Sequence, residues 1–183
     1  MKRFAIPALA VLALAACNQE PGVSLTNASP EEVARQAKAA GVAAQLEPGQ
    51  WETRVDITEF DMAGMTPEMK ADSLAKAKQA QNTHSYCVTP EEAARPGAAM
   101  FTGETDSKCT YRKFEMAGGR IDLLMACPGQ GGAGEMTMAV RGSFTPEGMT
   151  AATEMRSSGQ LAMVMKANVT SRRTGECTAP PKK

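Results

Sequence analysis

Between Met136 and Val169 the chain alternates apolar and polar residues three times over, and each run stops at a short turn. The apolar sets are Met136, Met138, Val140 and Phe144; then Met149, Ala151 and Met155; then Leu161, Met163, Met165, Ala167 and Val169. Side chains on a strand point alternately to its two faces, so a period of two gives each run one dry and one wet side. Thr145-Pro146-Glu147-Gly148 and Ser157-Ser158-Gly159 supply the turns, which are short enough to demand antiparallel neighbours. The expected architecture is therefore mainly β (α+β). It is a curved antiparallel meander sheet or half-barrel of about 6–7 strands, with an N-terminal helix and one or two covering helices.

Upstream of those runs, Thr110–Met116 and Arg120–Ala126 read as a hairpin turning at Gly118-Gly119, flanked by Cys109 and Cys127. Beyond Cys17 the chain has four cysteines, Cys87, Cys109, Cys127 and Cys177, with no Cys-x-x-Cys pair and no cysteine–histidine cluster. An even number in an exported domain points to two disulfides rather than a zinc site. Closing the hairpin pairs Cys109 with Cys127 and leaves Cys87 for Cys177. The register is in tension. A two-residue turn sets Met116 opposite Ile121 and Phe114 opposite Leu123 but puts Cys109 opposite Pro128, which has no N–H for the ladder. A three-residue turn, Ala117 to Gly119, aligns the cysteines and spoils the apolar match. A diagonal bond or a bulge reconciles the two.

The N-terminus constrains destination rather than fold. Lys2 and Arg3 precede an apolar stretch from Phe4 to Ala13, too short to span a bilayer, which takes roughly 20 residues. Leu14-Ala15-Ala16-Cys17 then has the form of a bacterial lipobox, with small residues for a peptidase site and a thiol to carry diacylglycerol. Residues 1–16 read as signal peptide, Cys17 as the lipid-attachment residue, 18–29 as a flexible tether and 30–179 as a single disulfide-bonded domain. Asn18, by analogy with enterobacterial sorting, points to the outer membrane facing the periplasm. Loss of Lys2 and Arg3 turns a balance of 20 basic and 20 acidic residues into a small acidic excess, so a phosphate backbone is not an expected partner.

Ser29-Pro30-Glu31-Glu32 is a capping box that opens a helix running to about Gln45, ended by Pro48-Gly49. Trp51, Thr53, Val55 and Ile57 alternate with polar residues as a half-buried strand. A second helix starts at Thr66-Pro67-Glu68 and runs to about Asn82, with a thin apolar stripe (Met69, Leu74, Ala77) suited to the surface of a sheet. Ser85–Val88 reads as a short strand, and Thr89-Pro90-Glu91-Glu92 caps one helical turn.

Several motifs in order carry a resemblance. They are Pro48-Gly49-Gln50-Trp51-Glu52, Cys87-Val88-Thr89-Pro90-Glu91, Cys109, Cys127 and Arg173-Thr174-Gly175-Glu176-Cys177. Over roughly residues 47–178 the chain resembles a family of proteobacterial envelope proteins known as domain of unknown function 3617. The resemblance implies a periplasm-facing, disulfide-bonded, mostly β domain and supplies no activity or catalytic residue. The N-terminal helix and the high methionine content depart from the family pattern.

Candidate chemistry is sparse. His84 is the single histidine and has no nucleophile or second ligand at usable spacing, so it reads as a polar residue at the start of a strand. Glu31-Glu32 and Glu91-Glu92 lie in first helical turns, where they complement the helix dipole. Gly129 to Gly134 lacks the Lys-Ser/Thr of a phosphate cradle. Met136-x-Met138 and Met163-x-Met165 place paired thioethers on one strand face, which would suit Cu(I) if strands converged them. The same alternation is what a packed face requires, and with 13 methionines in the chain the expectation is a buried, dry, metal-free core face. The functional expectation is a non-enzymatic, membrane-anchored binding or interaction module without cofactor, its partner an unknown envelope protein. The alternative is a carrier of a lipid-like apolar ligand in a half-barrel.

Overall fold

Gly118 and Gly119 both adopt positive φ (55° and 69°), the two-residue turn that matches the twist of a hairpin, and the flanking segments close on it as the pattern requires. A computed structural model describes residues 21–42, 46–79, 82–93, 108–129, 133–159 and 162–177. In it β4 (Thr110–Ala117) pairs with β5 (Arg120–Cys127), Met116 opposite Ile121 and Phe114 opposite Leu123. The meander continues through β6 (Ala133–Thr145), β7 (Gly148–Gly159) and β8 (Met163–Gly175). Upstream lie β1 (Gly22–Leu25), α1 (Pro30–Ala39), β2 (Gly49–Met62), α2 (Pro67–Gln79), β3 (Asn82–Val88) and the short α3 (Pro90–Ala93). All strands join one open antiparallel sheet in the order β1-β4-β5-β6-β7-β8-β2-β3, curved as expected but with eight strands rather than six or seven.

The eighth strand corrects the reading of residues 18–29 as tether. Gly22–Leu25 pair with Phe114–Ala117, and Ala28 bridges to Tyr111. Val23 and Leu25 alternate with Gly22 and Ser24, but four residues are too short a run to announce a strand; it forms because the β4 edge is there to accept it. Other boundaries moved for equally local reasons. Helix α1 stops at Ala39, short of Gln45, because Gly41 takes φ 70° and ends the helical run. Strand β2 extends to Met62 because a bulge after Ile57 returns Phe60 and Met62 to the apolar face. Strand β3 begins at Asn82 rather than Ser85, since Asn82, Thr83 and His84 pair with Val55, Arg54 and Thr53. Its polar residues hide an edge strand.

The core lies beneath α1. Ser29 Oγ accepts from the Glu32 N–H at 3.2 Å, and the helix so capped buries Val33 and Ala37 completely. They pack on Tyr111, Phe114, Ile121, Leu123, Met125 and Val140, with Val23 of β1 at the rim. On the same face, towards the other edge of the sheet, Trp51 is buried and its indole N–H donates to the Glu47 carbonyl at 3.0 Å. Helix α2 buries no residue; it rests on β2, with Lys70 Nζ 2.8 Å from Asp61.

Candidate binding face

The two cystines come from opposite ends of the topology. At the open end of the β4–β5 hairpin Cys109 is bonded to Cys127, with Cα atoms 4.1 Å apart. The bulge removes the register conflict: between Tyr111 and Lys113 the extra residue Arg112 shifts pairing by one, so the apolar match near the turn and the cysteine match at the far end coexist. Cys87 is bonded to Cys177 across the start of β2, where Gln50 pairs with Cys87 on one side and Gly175 on the other. Their Cα atoms are 5.5 Å apart across a sequence separation of 90.

The remaining candidates disperse. His84 is exposed on the edge strand, opposite Thr53, with Tyr86 two residues on. Glu31 stands at the N-terminus of α1, its pKa lowered by a hydrogen bond with the Ser29 side chain. Glu92 and Thr89 form a reciprocal cap, the Thr89 N–H donating to Glu92 Oε2 at 2.9 Å and the Glu92 N–H to Thr89 Oγ1 at 3.1 Å. Cys17 and the signal segment lie outside the described residues, as do Leu161 and residues 130–132 of the glycine-rich loop. Among the described residues no three His, Cys, Asp or Glu side chains gather to hold a metal, and no helix is long and apolar enough to cross a membrane.

The methionines do gather. Direct cross-strand partners share a face, and the register sets Met125 opposite Met138, Met138 opposite Met155, Met155 opposite Met165 and Met165 opposite Phe60. One lateral row thus runs over five strands. The neighbouring row on the same face reads Met136, Ser157, Met163, Met62. Met138, Met155 and Met163 share a side as expected, but they are not buried. Met125 at the α1 end is 6% exposed, Met138, Met155, Met163, Met165 and Met62 are half-buried, and Met136 is 39% exposed. The reason is where α1 docks: it packs chiefly against β1 and β4, at the edge of the sheet remote from β7, β8 and β2.

The opposite face is a lattice of ion pairs. Lys113 Nζ lies 2.9 Å from Asp122, with Arg141 3.3 Å away; Lys166 pairs with Glu59 at 2.7 Å and Arg172 with Glu52 at 2.9 Å. Hydrogen bonding by Lys113 holds the Asp122 carboxyl below its usual pKa. A depression of about 640 Å³ at the strand ends mixes Met62, Met65 and Met163 with Asp61, Lys70 and Arg156, and one of about 620 Å³ beside Cys127 is lined by Lys108, Arg112 and Glu135. Each holds ionised side chains that a lipid tail would have to desolvate.

No curated protein and no solved structure matches the chain. A family model does match, over residues 46–177, from just before β2 to the second cystine, leaving β1 and α1 outside it. The chain belongs to the family described as protein of unknown function (DUF3617).

Proposed function

We propose that this chain is an exported lipoprotein, held to a membrane by lipid on Cys17 and facing the periplasm. Its domain is a non-enzymatic binding module whose binding face is the half-open methionine surface of β6, β7, β8 and β2. One observation carries the reading: the apolar row leaves the roofed core at Met138 and continues half-exposed through Met155 and Met165, with no acid, base or nucleophile in the row. An apolar surface rimmed by polar residues is the usual mark of a contact site, and methionine adapts to varied partners. The anchor is supported by the lipobox sequence, since acyl chains contribute about 0.8 kcal/mol per buried methylene.

Two measurements test it. Cys17→Ser should move the protein from the detergent phase to the aqueous phase on phase separation; a variant that still partitions with detergent removes the anchor. A photo-crosslinking residue at position 155 should capture an envelope component that the same residue at Ala152, exposed on the ionic face, does not. Equal yields from both positions would show that the face has no special role.

A further inference from the structure

We propose that Met138, Met155 and Met165 form a site for a soft monovalent cation, Cu(I) in chemical class. The proposal deepens the binding-face reading above and rests on it. Adjacent strands lie about 4.8 Å apart, so the side chains of β6 and β8 start about 10 Å from each other with Met155 midway between them. Long unbranched side chains from both flanks can converge above the middle strand, giving one ion three thioethers. Met136 and Met163, each two residues along on the same face, stand in reserve on the side away from the core.

The donor set fixes the class of ion. Thioether sulfur is soft and neutral; it suits Cu(I) and offers little to Mg²⁺, Ca²⁺ or Zn²⁺, which take oxygen, imidazole or thiolate. The row holds no carboxylate to draw a divalent ion and no ammonium or guanidinium to repel a monovalent one. Phe60, directly opposite Met165, closes its outer end with an aromatic ring. The four domain cysteines are oxidised in pairs, so no thiolate among them competes. Partial exposure of Met155 and Met165 supplies the entry path that a sealed core would deny.

Ag(I), which needs no reductant and so leaves the cystines intact, is the probe. Titration of the soluble Cys17→Ser protein should give one tight equivalent with sulfur-only scattering in X-ray absorption. Met155→Leu, which keeps volume and apolarity, should lower affinity by about 100-fold or more, since even outer-shell partners of a metal are worth about 10–100-fold. It should leave apo melting unchanged. Met69→Leu, on exposed α2, and His84→Asn should leave affinity unaltered. Absence of a tight equivalent, or binding that survives Met155→Leu or is lost in His84→Asn, overturns the site. A silent titration with crosslinking at position 155 intact removes the metal and spares the binding face; loss of both removes both.

Discussion

Tyr111 and Phe114 are three residues apart on one strand, yet both are fully buried, with rings 5.5 Å apart and inclined at 85°. An odd spacing should send them to opposite faces. The bulge at Arg112 absorbs one residue, so both rings reach the core and meet edge to face.

Deleting Arg112 should therefore heal the bulge at little cost. Tyr111 and Phe114 are then two positions apart, both still facing the core, and Cys109 keeps its place opposite Cys127. The loss should be about 1 kcal/mol or less, much like Arg112→Ala, which forfeits only an exposed pair with Glu135. Deleting Lys113 as well makes the two aromatics adjacent and turns one of them to the wet face, where Phe→Ala losses of about 3–5 kcal/mol set the scale. Denaturant melts and non-reducing peptide maps decide it, and a single deletion as damaging as the double one would refute the bulge's role.

Met125 and Met155 occupy the same cross-strand row but differ in cover. Met125→Gln places an amide beneath α1 and should cost about 2–4 kcal/mol through lost transfer energy and unmet hydrogen bonds. Met155→Gln, on the half-open part, should cost about 1 kcal/mol or less, because its amide can reach water. Equal losses in chemical denaturation would mean the face is closed.

Tyr111 makes stability sensitive to alkali. Burial disfavours its phenolate and pushes its pKa up to about 12, against about 10 in the unfolded chain. The folded state thus holds the proton more tightly. The resulting stabilisation is fully present below about pH 10 and is lost as pH rises towards 12. Tyr111→Phe should flatten that alkaline fall, followed by fluorescence-monitored melts between pH 9 and 12. A fall of unchanged steepness would place the titrating group elsewhere.

What could be read in advance followed from local rules. The Gly118-Gly119 turn fixed a hairpin, Ser29 to Glu32 fixed a helix start, and period two placed Met138, Met155 and Met163 on one side. Long-range terms stayed hidden. Strand β1 alternates over only four residues, too few to announce it without the β4 edge it joins, and the polar start of β3 pairs only because β2 passes beside it. Exposure of Met155 depended on where α1 docks, chiefly over β1 and β4 and away from β7, which nothing in the methionine runs reveals. Alternation tells which residues face inward together; it does not tell whether a roof extends over them.

Strand β1 also sets a standoff. With pairing begun at Gly22, the leash from Cys17 is five residues, a contour of at most about 18 Å. A lipid on that cysteine would keep the Ala117–Arg120 turn, which Gly22 adjoins, near the headgroups. The thioether row crosses β5 at Met125, five residues from Arg120 and so about 17 Å further along the strand. Moored by that turn, the domain would present its soft face at the end of the sheet away from the bilayer, to whatever arrives from the aqueous side.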